Sequence, residues 1–219
     1  MPGPGWPGIA PSGTLQAFQA IVSLSRACFR EPWHHLSNSR RAVRSRLVAA
    51  ARIPAREVPM HRTKIDLADN VRAAVIGELS AALADSVDLS AQVKQAHWNV
   101  KGPSFIALHE LFDQIAADVR NFTDEIAERI VTLGGTAHGT VQEAVAKSRL
   151  PAYPTDISAG SSHVEALSTA LATYGKHVRA GIDTTDELGD AVTADVLTGV
   201  GRGIDKWLWM VEAHRQSDA

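Results

Sequence analysis

An all-α fold of four long helices with one long crossover is what this sequence predicts, and three observations carry it. After Met60 the apolar residues recur at helical spacing. Pro is confined there to positions 103, 151 and 154, which fall in the breaks between patterned stretches. No run shows the alternation of a half-buried strand.

The elements follow in order. Leu67, Val71, Val75, Leu79 and Leu83 are spaced by four, and only Gly77 interrupts the stretch to Val100, so a long first helix is expected. Gly102 and Pro103 end it, Ser104 is the expected cap of a second helix, and that helix runs to Leu133 before Gly134 and Gly135. Thr140 and Glu143 have capping-box spacing and predict a short helix, which LPAYP terminates. Ser162 and Glu165 repeat that spacing and predict a third long helix to about Thr184, and a fourth is expected from about Leu188 to His214. Such a bundle, with a short helix in its long crossover, is of the ferritin-like kind.

Charge divides the chain. Up to Lys64, ten Lys and Arg stand against two acids and leave +8, whereas the remaining twelve bases and 22 acids leave −10. Residues 1–59 therefore read as an irregular basic extension, opening with MPGPGWPGIAPSG and carrying the run SRRAVRSRLVAAARIPAR, and residues 60–219 as the folded domain. Three readings of the extension stand side by side. Arg40, Arg41, Arg44 and Arg46 could form an arm for DNA phosphates, the segment could be a targeting sequence, or the start could lie at Met60. Cys28 is the only cysteine, so no intrachain disulfide forms. No stretch reaches the roughly 20 apolar residues of a membrane span, and a cytoplasmic protein is expected.

The chemistry concentrates on the second helix. His109 and Asp113 are four residues apart, as are Asp124 and Glu128, so each pair sets two metal-competent side chains on adjacent turns. Either pair alone is a weak signal, and a lone helical His and carboxylate pair is more often a solvated ion pair than a ligand. At 100° per residue, however, all four fall within an arc of roughly 100°. Asp113 and Asp124 lie about 16 Å apart along a straight helix, too far to serve one metal in one chain. Two such helices meeting antiparallel across a two-fold axis would bring the ends together and make two equivalent sites. His97, near the end of the first helix, is then available as a further imidazole, and two imidazoles with three carboxylates suit iron better than structural zinc.

The segment KQAHWNVKGPSFIALHELFDQIAADVRNFTDEIAERIVTLGG, Lys94 to Gly135, resembles the signature of the Dps family, the DNA-binding proteins from starved cells. The resemblance runs from about Ile65 to His214 and includes AYPTDI and ADVLTGVGRGIDKWLWMVEAH. It implies a ferroxidase centre of His97, His109 and Asp113 from one subunit with Asp124 and Glu128 from its two-fold mate, and it matches Trp98 to the tryptophan beside that centre. By itself Trp98 is a packing residue. The resemblance further implies a homo-oligomeric shell of twelve subunits that binds iron(II), oxidises it with hydrogen peroxide and stores the ferric product, so protecting DNA. Family pores are lined by acids near the start of the last helix. Asp195 matches, and Asp190 and Glu187 are looser candidates, although all three could simply serve a helix N-terminus.

Other features carry less. His34, His35, His61, His138, His163, His177 and His214 belong to no ligand-like constellation. Gly199, Gly201 and Gly203 follow no strand, so they point to close helix packing and not to a nucleotide. Two alternatives remain. One is a nucleoid-compacting DNA-binding protein with secondary iron chemistry. The other, a bundle-core di-metal enzyme acting on an organic substrate, lacks the paired Glu-x-x-His motifs it requires.

Overall fold

The computed structural model describes residues 60–216. The basic extension, with Arg40, Arg41, Arg44 and Arg46, lies outside the described residues.

Among the described residues five helices follow one another: α1 (Asp69–Asn99), α2 (Phe105–Thr132), α3 (Val141–Lys147), α4 (Gly160–Glu187) and α5 (Ala191–Glu212). α1 packs along α2 and α4 along α5, and α1 also packs on α4 and on the crossover helix α3. The bundle interior is continuous: Leu79, Leu89 and Val93 of α1 meet Phe112 and Ile115 of α2, Tyr174 of α4 and Ile204 of α5, all fully buried. Burial of each such side chain contributes about 1.5–3 kcal/mol.

Two helix ends explain the turns. After α2, Gly134 has φ +90° and donates its N–H to the Val131 carbonyl, while Gly135 donates to Ile130. That is a Schellman closure, and a residue with a Cβ would be strained there. Gly189 (φ +82°) closes α4 in the same way, with Gly189 donating to Asp186 and Asp190 to Thr185. The last helix therefore begins at Ala191, three residues later than Leu188.

The start of α4 is also a correction. Ser162 and Glu165 do not form a capping box: α4 begins at Gly160, and its N-cap Ala159 offers no side-chain bond. A backbone clip replaces the cap. Lys101 donates its N–H to the Ser158 carbonyl (2.9 Å) and accepts from Gly160 N–H (3.1 Å). Ser104 occupies the N-cap of α2, yet its hydroxyl makes no capping bond. The short helix follows expectation, with Glu143 N–H donating to the Thr140 hydroxyl at 3.3 Å.

Of the three glycines in α5, Gly203 lies under the Phe122 ring, where a Cβ would clash, and a Cβ at Gly201 would sit 3.4 Å from Val178. These two show the expected close approach. Gly199 faces open space apart from the Arg202 side chain.

Candidate metal centre

α2 is amphipathic by spacing. Leu108, Phe112, Ile115, Val119, Ile126 and Ile130 are buried, which turns Asp113, Asp124 and Glu128 outward, where all three are exposed. His109 sits at the edge of that face, half-buried, and meets His97 from the last turn of α1.

The two imidazoles lock onto each other. Their rings stack with centroids 3.8 Å apart and planes 22° from parallel. His97 Nδ1 lies 2.8 Å from the His109 carbonyl, and His109 Nδ1 lies 2.9 Å from the His97 carbonyl. A carbonyl only accepts, so each Nδ1 carries a proton and donates; in the neutral ring this tautomer puts the lone pair on Nε2. Holding a ligating histidine by its other ring N–H in this way fixes both its tautomer and its aim. The His97 carbonyl belongs to the last turn of α1, where a helix has no internal donor for it, and His109 supplies one. The clip at Lys101 secures the turn between the two helices, so backbone bonds on both sides set the position of this pair.

Asp113 is held by Lys94, whose Nζ donates to Oδ1 at 2.7 Å. That bond is the chief cause that keeps the Asp113 carboxyl below its ordinary value; burial opposes it, and the fields of Lys94, His97 and Arg120 add to it. Lys94 also lies over the Trp98 ring at 5.9 Å. Trp98 is 68% exposed and does not pack in the core. With Val141 (70% exposed) and Val145 (82%) it lines a groove between α1 and α3, next to Lys94.

Within one copy the donors stay apart. Among the described residues no three His, Cys, Asp or Glu side chains gather with metal-binding geometry. The structure brings His97 and His109 together with Asp113 one turn beyond, while Asp124 lies about 16 Å and Glu128 about 22 Å from Asp113 along α2.

The three pore candidates separate. Asp195 and Glu187 are exposed at the α4–α5 end of the bundle. Asp190 is 2% exposed and serves inside the subunit: it caps α5 by accepting from Thr193 N–H at 3.1 Å, and Arg129 Nη2 reaches both its oxygens at 2.8 and 2.9 Å. Both its oxygens are thus taken up within the subunit, in the helix-end role that its position also allowed.

Sequence reasoning missed the polar links of the interior. Asp85 is fully buried and accepts from Arg149 N–H (2.7 Å), Arg149 Nη2 (2.7 Å) and His177 Nδ1 (3.0 Å), tying α1, the crossover and α4 together. Buried His163 pairs through Nδ1 with the Tyr153 hydroxyl at 2.6 Å, and burial pushes His163 below its ordinary value. Neither histidine takes part in a metal cluster among the described residues. Trp207 is a core residue whose Nε1 donates to Asp118 at 3.0 Å, and Trp209 is 62% exposed.

Comparison with known proteins follows the same lines. A family model described as a ferritin-like domain matches residues 76–218. The DNA protection during starvation protein of Agrobacterium fabrum is 47% identical over 156 residues, covering 71% of this chain and 96% of its own.

The chain belongs to the Dps family.

Solved Dps structures agree with the fold. DpsA14 from Streptomyces coelicolor is 33% identical with a TM-score of 0.69, covering 72% of this chain and 94% of its own. A Dps from Mycobacterium smegmatis is 32% identical with a TM-score of 0.69, over 72% and 96%. All five candidate ligands lie within the stretch that matches the ferritin-like model, and the basic extension lies before it. No helix among the described residues is long and apolar enough to cross a membrane.

Proposed function

We propose that this Dps-family chain is the subunit of an iron-oxidising and iron-storing cage, with its reaction site shared between two-fold mates. The observation that carries the reading is the reciprocal His97–His109 lock, which engages both Nδ1 atoms and leaves both Nε2 atoms for a ligand, one helical turn from exposed Asp113. In the antiparallel pairing Asp124 and Glu128 of the partner subunit complete the set. Imidazole and carboxylate together suit a redox-active first-row metal. Iron(II) is the substrate: two of them each give up one electron, and the pair reduces hydrogen peroxide, with two protons, to water. The carboxylates then hold the greater charge of iron(III). Asp195, exposed near the start of α5, would line an acidic entry, and Glu187 lies on the same end. The assembly is a dodecamer, and its place is the cytoplasm.

A second reading rests on the charge split of the sequence. The +8 segment up to Lys64, with Arg40, Arg41, Arg44 and Arg46, would hold DNA phosphates against the repulsion of a −10 body, so that the shell acts first as a nucleoid-compacting protein. Salt-sensitive DNA retention that vanishes on deleting residues 1–59 is its expected signature, and absence of binding at low salt defeats it.

For the principal reading, iron(II) is loaded anaerobically, peroxide is added and ferric absorbance is followed. Wild type oxidises rapidly, Asp113→Ala and Glu128→Ala do not, and cages mixed from the two variants regain part of the rate because some interfaces carry one intact site. Wild-type oxidation no faster than buffer defeats it.

A further inference from the structure

Arg120 stands in the middle of the ligand stripe and has no assigned role. It follows Asp113 by seven residues and precedes Asp124 by four, so at 100° per residue it falls inside the same arc of α2. Its side chain is exposed, and no carboxylate among the described residues lies within ion-pair distance of it. Its field reaches Asp113 even within one subunit.

The pairing that completes the metal site also gives this cation its surroundings. With His109 opposite Glu128 and Asp113 opposite Asp124, Arg120 falls opposite Ala117 of the partner subunit. Ala117 is small and exposed, which leaves room for a guanidinium. One turn away, about 6 Å along the axis, lie Asp124 of the same chain and Asp113 of the partner subunit. Both carboxylates belong to the same site, and the planar guanidinium fork can bond to both.

Resting on the shared-site reading, we propose that Arg120 is the counter-ion of the empty intersubunit site, bridging Asp124 and Asp113 of the partner subunit until metal displaces it. The need is electrostatic. An empty site would gather three carboxylates between two subunits, where like charges repel more strongly than in open water. Lys94 answers one of them, and Arg120 answers the next. Arg120 thus lets the two-fold face close before iron arrives, and its charge weakens the grip on the cation that replaces it.

The test uses the full chain and zinc(II), a redox-silent probe, with binding read by calorimetry and assembly by native mass spectrometry in metal-free buffer. Arg120→Gln is expected to bind zinc about tenfold more tightly, since a positive charge near the site is gone. It is also expected to dissociate, metal-free, at concentrations where wild type stays whole, with zinc restoring the assembly. Arg120→Lys keeps the charge but not the fork, so its zinc affinity is expected to stay near wild type while its metal-free assembly falls between wild type and Arg120→Gln. Zinc affinity unchanged or lowered in Arg120→Gln overturns the proposal, as does a metal-free assembly as firm as wild type. Glu128→Gln separates the two failures. If it loses tight zinc binding while Arg120→Gln is silent, only the counter-ion role falls; if it keeps tight binding, the shared site falls first.

Discussion

Two aspartates on this bundle each meet a cation at hydrogen-bond distance, and they serve opposite ends. Asp190 is sealed under Arg129, with side-chain exposures of 2% and 11%, and both its oxygens are engaged. Asp113 meets Lys94 through one oxygen at an open surface, with exposures of 55% and 23%. Full enclosure makes the first pair part of the fold. The second pair holds a group in place while leaving it open to exchange.

The largest effect expected from breaking this contrast comes from Asp190→Ala. It strands Arg129 without its partner and removes the α5 cap, a loss of about 3–5 kcal/mol. A fall in melting temperature of roughly 10 °C follows for a domain of this size. A fall of only a degree or two would mean that the pair is peripheral.

Acid sharpens the comparison next. Burial pushes the Asp190 carboxyl up, but the bonds from Thr193 and Arg129 outweigh it and bring the group below its ordinary value of 3.8. A carboxyl depressed by folding stabilises fully above its unfolded value, and that contribution is lost as pH falls through the folded one. The stability gap between wild type and Asp190→Asn is therefore constant near neutrality and narrows below about pH 4. Denaturant midpoints across that range check it, and a gap that widens in acid contradicts the assignment.

The smallest effect belongs to the exposed pair. Lys94→Gln and Asp113→Asn are expected to melt with wild type, because a surface ion pair adds little to folding. Asp113→Asn nevertheless stops iron oxidation in the peroxide assay. A clear loss of stability in either variant would make this pair structural after all.

How far the sequence disclosed these roles depends on range. The helices were legible because spacing within one element encodes them, as Leu67 to Leu83 and Thr140 to Glu143 did. The outward face of Asp113, Asp124 and Glu128 was legible for the same reason. What depends on a distant partner was not. Asp190 looked like its neighbour Asp195 until Arg129, 61 residues away, closed over it. Asp85 drew no notice because its partners lie 64 and 92 residues on. Ser162 and Glu165 carried a capping signal that lost to the carbonyl of Lys101, a contact no local pattern announces. The aim of His97 was likewise invisible, since it is fixed by a backbone carbonyl across a turn.

The reciprocal histidine lock has a consequence for quality control. Each ring is fastened to the backbone of the other helix, so sliding α1 along α2 by a single turn would sever both bonds at once and turn both Nε2 atoms away. The donors are presented only by a hairpin in the correct register. A subunit that folds out of register would therefore not assemble the pair on which the proposed centre depends. The proposed chemistry would in this way be available only to a correctly folded subunit.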